Sequence, residues 1–301
     1  MPLLYKYRPF TTQEDKKRLF DIIETEKFWF PMANEVNDPF ELRCAIDFES
    51  DREATEAAFV EVERRVNPST TEAQARARVK EVLAGTSSAT LREQQWEMAF
   101  KIWRALSQRT AMCCFAGTPE STLMWSHYAA GHTGVAIEVE PIGFDKYVHA
   151  VTYSSELSPL PLKELVGIEP GSALFNSLFL RKAPCWEYEH EYRTMRFALR
   201  SRAFTFGKGS IKRVIVGCAM SPESKLQLLT WMKASAPNIQ IAAALPSQDG
   251  TYSLQVVDLA ELDADAIPTN AIPNPPKFRQ RWLWWSIFAG IAAIAVAVWR
   301  R

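Results

Sequence analysis

The stretch WEYEHEYR, from Trp186 to Arg193, is the most informative part of this chain. Successive side chains of a β-strand point to opposite faces. As a strand, the stretch carries three carboxylates and one guanidinium on a single face, at Glu187, Glu189, Glu191 and Arg193. Three carboxylates side by side repel one another, so a plain sheet gains little from them. A cleft that stabilises positive charge gains more, which makes Glu189 and Glu191 candidate catalytic residues.

A helix is the alternative for the same stretch. Aromatic and apolar side chains recur at helical spacing, at Tyr188, Tyr192, Met195 and Leu199. On such a helix the glutamates would form a solvated face. The aromatic residues that follow Pro184 favour the strand, because aromatic side chains are enriched in strands.

Length and composition exclude several classes of protein. The chain has 301 residues, enough for one large domain or two small ones. Its 35 basic and 35 acidic side chains give no net charge, which argues against a nucleic-acid binder held by a strong field. The five cysteines form no CxxC pair. This pattern predicts reduced thiols in a cytosolic domain, with neither a disulfide framework nor a metal site.

The last residues form an apolar run, 282–299, that predicts a transmembrane helix. About 18 residues at a rise of 1.5 Å span about 27 Å, close to the hydrocarbon core of a bilayer. Tryptophans mark both ends of the run, as expected at a membrane interface. The chain is therefore expected to contact the lipid bilayer through a single C-terminal span, with its bulk in the cytoplasm. Small residues recur every four positions in this span, which is compatible with a homodimer: Ala289, Ala293 and Ala297.

The rest of the chain reads as an α+β domain over residues 1–262. Short strands that alternate with helices of unequal length predict a mixed sheet. Residues 51–107 are rich in alanine, glutamate, arginine and glutamine and predict an inserted lobe of two or three helices. Thr12 and Asp15 have the spacing of a capping box at the start of the first helix. A proline-rich linker, 263–281, joins the domain to the membrane span.

Three further clusters hold polar or aromatic side chains. One is at the end of a predicted short helix and contains Trp125, Ser126, His127 and Tyr128. A core position for Trp125 and a hydrogen-bonded His127 are the structural alternative there. The second runs from Asn37 to Glu41 and is typical of a turn, anchored in the core by its phenylalanine. The third is the first predicted strand.

That first strand carries Tyr5 and Arg8. Alternating tyrosines are ordinary on an edge strand, but a guanidinium is well suited to binding phosphate or carboxylate. Arg8 is therefore a candidate ligand-binding residue.

Taken in order, four motifs resemble a bacterial family, the domain-of-unknown-function family 2971. They are YKYR near the start, NDPFE, LMWSHYA with the following H-x-G-V-A-I-E, and W-x-x-E-x-E-Y-R. The resemblance covers about residues 3 to 260. At the level of fold, the family is similar to the ADP-ribosyltransferases that use NAD. Those enzymes carry an Arg, His or Tyr on the first strand, a middle aromatic or Ser position, and a late E-x-E or Q-x-E glutamate.

The resemblance implies a set of site residues in this sequence. Glu191 and Glu189 would be catalytic, Glu191 by stabilising oxocarbenium charge and Glu189 by orienting an acceptor. The other matched positions, Tyr5, Arg8, Ser126 and Tyr128, would bind NAD, the expected cofactor. By their chemistry, Trp125, His127 and Arg193 are further candidates for binding it, through stacking or phosphate contacts.

The expected function is NAD-dependent ADP-ribosyl transfer or NAD hydrolysis at a membrane, in a defence or toxin role. The rival is a non-catalytic module that binds a nucleotide or a protein and signals at the membrane. An Arg193 that forms a purely structural ion pair with Glu189 or Glu191 would favour the rival. A metal-dependent nuclease is poorly supported, since no spaced His or Asp partners accompany the clustered carboxylates.

Overall fold

A computed structural model describes residues 2–43, 45–46, 52–143, 147–157, 159–160, 173–197 and 201–259. Its strands are β1 (Leu4–Arg8), β2 (Lys27–Trp29), β3 (Ala45–Ile46), β4 (Thr110–Ala116), β5 (Val135–Val139), β6 (His149–Ala150), β7 (Thr152–Tyr153), β8 (Pro159–Leu160), β9 (Arg181–Lys182), β10 (Glu191–Phe197), β11 (Ala203–Thr205), β12 (Ile211–Val216), β13 (Gln240–Pro246) and β14 (Leu254–Asp258). Its α-helices are α1 (Gln13–Thr25), α2 (Arg52–Val66), α3 (Glu72–Gly85), α4 (Ser88–Ser107), α5 (Thr122–Tyr128), α6 (Ala173–Phe179) and α7 (Pro222–Ser235). Two 3₁₀-helices cover Ala33–Glu35 and Pro184–Glu189.

The fold centres on an eight-stranded sheet in the order β14-β13-β12-β5-β1-β4-β10-β6. The pairing of β12 with β13 is parallel, and the other pairings in this sheet are antiparallel. Three two-stranded sheets surround it: β11-β2, β3-β8 and β7-β9. A mixed sheet with helices was predicted, and this part of the fold class is confirmed. The insertion predicted over 51–107 contains α2, α3 and α4.

The two faces of the large sheet are covered by different helices. Leu4 of β1 faces a core to which α1 and α7 contribute, for example through Leu19 and Leu228. Tyr5 and Tyr7 alternate to the other face and pack with residues of α5. The central strand β1 is therefore packed on both faces, although Lys6 and Arg8 share the face of Leu4 and are only half-buried.

Local signals in the sequence explain where α1 begins and which face it buries. Thr12 accepts a hydrogen bond from the Asp15 amide, and the Asp15 carboxylate accepts one from the Thr12 amide, so the predicted capping box is confirmed. The buried residues of the helix are Leu19, Ile22 and Ile23, which recur at helical spacing. Their burial fixes α1 against the sheet.

The membrane span predicted over 282–299 and the linker predicted over 263–281 lie outside the described residues. Within the part of the chain that the structure describes, no helix is long and apolar enough to cross a bilayer.

The strand predicted from Trp186 is wrong for its first half. The chain forms a 3₁₀-helix to Glu189, then His190 adopts left-handed backbone angles (φ 43°, ψ 53°), and β10 begins at Glu191. The helical alternative is also wrong, since 191–197 are extended. The turn brings two glutamates to one lysine, Lys182, and those ion pairs offset the strain of a left-handed residue, about 1–2 kcal/mol.

A tight turn fixes the end of β1 against the start of β5. The Gly134 amide donates to the Ala129 carbonyl at 2.8 Å, and the Gly134 carbonyl accepts from Gly217 at 2.9 Å. A Cβ at Gly134 would collide with the carbonyl oxygen of Arg8. Only glycine lets the two backbones approach this closely.

We expect Gly134→Ala to destabilise the chain by about 3 kcal/mol, because the Arg8 backbone must shift to admit the methyl group. The measurement is the free energy of unfolding in urea of the full-length chain in detergent. Gly85→Ala is the matched control, because a Cβ at the end of α3 meets nothing within 4 Å. It should change stability by no more than about 1 kcal/mol. Equal stabilities for the two variants would contradict the close approach.

Candidate functional site

The large sheet is split between β1 and β4. β1 pairs with β5 along its whole length but with β4 at one residue pair, Tyr5–Ala116. A cavity of about 520 Å³ lies at this split, within the usual range for ligand pockets, about 300–1,000 Å³. Its walls include Tyr5 to Pro9 of the β1 segment and Cys114 to Ala116 of β4. Lys6 reaches across and donates to the Cys114 carbonyl at 2.6 Å.

One wall of the cavity is a buried ionic cluster around Lys182. Its ammonium donates to Glu189 at 2.5 Å and to Glu191 at 3.0 Å. Burial disfavours the charged lysine, but Glu191 and Glu189 outweigh that effect and raise the pKa of Lys182. Burial raises the pKa of Glu189, against the opposing effect of Lys182. Glu189 is thus a buried carboxylate that is easier to protonate than usual.

Arg193 binds the same cluster but does not line the cavity. Its guanidinium is fully buried and binds Glu41 through two hydrogen bonds of 2.7 and 2.8 Å and Glu191 through two of 2.7 and 3.0 Å. Burial alone would raise the pKa of Glu191, but Arg193 and then Lys182 lower it to about 2. The cluster has three carboxylates and two cations when all five groups are ionised. In that ionised state one negative charge is in excess beside the cavity, and burial, which raises the pKa of Glu41 and of Glu189, favours the uptake of a proton there.

Tyr128 connects this cluster to the other rim of the cavity. Its hydroxyl donates to Glu189 Oε1 at 2.7 Å and accepts from the Asn37 amide at 2.6 Å. Burial and then the hydrogen bond to Glu189 raise the pKa of Tyr128. His127, the preceding residue on α5, also lines the cavity, with its ring 5.9 Å from that of Tyr188.

Arg8 supplies a positive charge to the cavity that no carboxylate balances. Its Nε is buried without a hydrogen-bond partner, and no ion pair involves its side chain among the described residues. Burial lowers the pKa of Arg8. A buried guanidinium nitrogen without a partner is costly, and an anionic ligand would relieve that cost.

Tyr5 lines the cavity from β1 and is held by a second ionic group. It is the register partner of Glu138 on β5, whose carboxylate accepts from Arg213 at 2.6 Å. Burial and then Glu138 raise the pKa of Tyr5 to about 12. Tyr5 is therefore a neutral phenol at ordinary pH.

The structure brings six of the nine candidate residues to this one cavity: Tyr5, Arg8, His127, Tyr128, Glu189 and Glu191. The other three are elsewhere. Trp125 is completely buried, donates to the Pro119 carbonyl at 2.7 Å and packs edge-on against Tyr7, so it cannot stack on a ligand. Ser126 is exposed and hydrogen-bonded to His132. Arg193 is behind the glutamates and is a structural ion-pair partner rather than a phosphate ligand.

Sequence reasoning missed Lys182 and Glu41 as parts of the site. Lys182 has no motif around it, and its role depends on a two-residue strand, β9, packed near the glutamates. Glu41 was assigned only to a turn. The turn is present, since Asp38 accepts from the Phe40 amide at 2.9 Å. Phe40 is not its anchor, however, because this side chain is 62% exposed whereas Leu42 is buried.

Within the described residues, no three His, Cys, Asp or Glu side chains are grouped as a metal site would require. Comparisons with protein-family models, curated proteins and solved structures found no match to this chain.

The variant Glu191→Gln tests whether the charge of this carboxylate stabilises the fold, because that contribution depends on pH. The pKa of Glu191 is lower in the folded chain, about 2, than in an unfolded chain, about 4.3, so the carboxylate stabilises the fold above pH 4.3. Its contribution, about 3 kcal/mol at 1.36 kcal/mol per pKa unit, is lost as pH falls toward 2. We expect the variant to be less stable by about this amount at pH 7, with a difference that shrinks below pH 4.3.

The measurement is urea unfolding of both full-length proteins in detergent between pH 7 and pH 3. Glu187→Gln is the matched control, because Glu187 is an exposed carboxylate of the same segment. It should change stability by less than about 0.5 kcal/mol at every pH. A deficit of Glu191→Gln that stays constant with pH would show that its charge does not contribute.

Proposed function

We propose that this chain binds an NAD-like dinucleotide in the cavity between β1 and β4 and breaks its nicotinamide–ribose bond, by ADP-ribosyl transfer or hydrolysis. One observation carries the proposal. A single cavity holds a guanidinium with a buried Nε that has no partner, that of Arg8, and a buried cluster of three carboxylates and two cations. The substrate has the complementary charges, an anionic pyrophosphate and a cationic nicotinamide ring.

The reaction needs a carboxylate near the ribose. When the bond between ribose C1′ and the nicotinamide nitrogen breaks, its electron pair stays on the nitrogen and positive charge develops on the sugar. A fixed carboxylate stabilises that charge. The oxygen of water or of an acceptor then forms the new bond to C1′ and loses a proton. We propose that Glu189 accepts this proton, because burial raises the pKa of this carboxylate.

The geometry favours Glu189 over Glu191 for this role. Both oxygens of Glu191 accept hydrogen bonds from Arg193, and one of them also accepts from Lys182. Its charge is therefore neutralised by its partners. Glu189 accepts one bond on each oxygen, from Tyr128 and Lys182, and a carboxylate has about four acceptor sites. Capacity remains for a ribose hydroxyl.

The position of the four sequence motifs supports the proposed family, the domain-of-unknown-function family 2971. Residues from each motif line the same cavity although they are far apart in sequence: Tyr5 and Arg8, Asn37 and Glu41, His127 and Tyr128, and Glu189 and Glu191. Motifs that meet at a cavity are more readily explained by a shared site than by shared packing alone.

We further propose that residues 282–299 hold this site at a membrane, with the bulk of the chain in the cytoplasm. A tethered NAD consumer suits a defence or toxin role, because local depletion of NAD or modification of a membrane protein harms the cell that contains it. The spacing of small residues in that segment is the basis for proposing a homodimer.

The second candidate is a non-catalytic module that binds a nucleotide or a protein and signals at the membrane. Full neutralisation of Glu191 favours it, because that ion pairing serves the fold whether or not chemistry takes place. The two candidates differ in product. The module would bind the dinucleotide and return it unchanged.

We expect the full-length chain in detergent to bind NAD in calorimetry and to release nicotinamide, detected by mass spectrometry. Arg8→Gln should weaken binding at least tenfold, because charge-assisted bonds to phosphate contribute about 1.5–3 kcal/mol. Glu189→Gln should lower nicotinamide release at least about a hundredfold, in line with the loss of the carboxylate that we propose accepts the proton.

Two controls separate these effects from changes in fold. Glu187→Gln removes an exposed carboxylate from the same segment, and Arg65→Gln removes an exposed arginine from α2. Both should behave like the unmodified chain. Binding without nicotinamide release would select the non-catalytic module, and no binding by folded protein at millimolar NAD would overturn the proposal.

A further inference from the structure

A second cavity, of about 620 Å³, lies between the first helix and the small sheet formed by β2 and β11. It shares Arg8 and Pro9 with the cavity described above. Its other walls include Arg18 of α1 and Lys27 and Trp29 of β2. Arg8 is therefore common to two cavities.

Trp29 gives this second cavity an aromatic surface. β2 alternates, so that Phe28 is completely buried while Trp29 remains 52% exposed. The Arg202 guanidinium is 4.5 Å from the centre of the Trp29 ring and holds the indole in place. The residue paired with Trp29 on β11 is Ala203, whose small side chain leaves room beside the ring. A planar group would lose little entropy when it stacks on a ring that is already fixed.

The charges of the second cavity favour an anion next to that aromatic surface. Arg8, Arg18 and Lys27 line it together with two carboxylates, Asp15 and Asp21. Both carboxylates already have partners. Asp15 accepts from the Thr12 amide at the start of α1, and Asp21 accepts from Lys17 at 2.7 Å. Arg18 bonds Glu14 at 2.9 Å, whereas the buried Nε of Arg8 has no partner.

We infer that the second cavity binds the adenosine monophosphate half of the dinucleotide, with its base stacked on Trp29 and its phosphate on Arg8. This inference rests on the proposed function, because the ribose and nicotinamide at the other end of the same ligand would occupy the cavity beside Glu189. Arg8 is at the junction, where the pyrophosphate of a ligand that spans both cavities must pass.

The test compares whole and half ligands on the full-length chain in detergent by calorimetry. The probes are NAD, adenosine monophosphate and nicotinamide mononucleotide. We expect Trp29→Ala to weaken the binding of NAD and adenosine monophosphate about tenfold, as loss of one base–aromatic stack does, and to leave nicotinamide mononucleotide unaffected. Trp29→Phe keeps a ring and should retain most of the affinity.

Trp96→Ala is the matched control, because Trp96 is a tryptophan of α4 that is 71% exposed. It should change no affinity, and near-ultraviolet circular dichroism checks that each variant is folded. If Trp29→Ala changes none of the three affinities, or all three equally, the second site is overturned while nicotinamide release still supports the proposed function. If only adenosine monophosphate binds, and does so through Trp29, the second site stands and the proposed function fails. If no probe binds, both fail.

Discussion

The buried guanidinium of Arg193 is the interaction on which the rest of the site depends. It joins three segments of the chain, because it binds Glu41 after the NDPF turn, Glu191 on its own strand and the carbonyl of Phe179 at the end of α6. A charge this deep is tolerated only when its donors are satisfied, and removal of one partner from a buried pair typically costs about 3–5 kcal/mol. Arg193 therefore holds Glu191 and the loop that carries Glu41 in one arrangement.

The same cluster also explains why the pKa values of Glu189 and Glu191 are shifted in opposite directions. Glu191 is neutralised by Arg193 and Lys182, which lower its pKa, whereas burial prevails at Glu189 and raises its pKa. Two carboxylates two residues apart thus have opposite tendencies toward protonation. Such divergence, set by surroundings rather than residue type, is typical of sites where one group is structural and the other takes part in chemistry.

A second constraint is the incomplete pairing of β1 with β4. Full pairing would close the sheet and leave no cavity, but these strands meet at one residue pair, and Lys6 bridges part of the gap to the Cys114 carbonyl. The turn at Gly134 then fixes the backbone of Arg8, with its guanidinium at the cavity. The molecule tolerates an unpaired cation at the cavity and incomplete pairing of two strands in its central sheet. Both features are explained if a ligand binds between the strands and pairs with the cation.

Short-range signals in the sequence determined much of the secondary structure. The capping box at Thr12 and the helices of the 51–107 insertion follow from end signals and composition, which act over a few residues. Motif residues also pointed to the site, and six of nine candidates line one cavity. The strand prediction for 186–190 was wrong because strand alternation takes no account of Lys182, which two glutamates contact.

The tertiary structure alone decided which candidates face the cavity and what charges they have. Trp125 and Tyr128 are neighbours on one short helix, yet one packs in the core and the other binds Glu189. Arg8 and Arg193 carry the same group, yet one is unpaired at the cavity and the other is fully bonded behind it. Burial and ion pairing depend on partners from other parts of the chain, 61 positions away for Tyr128 and Glu189 and 152 for Arg193 and Glu41. The sequence by itself determines only residue types and local periodicity.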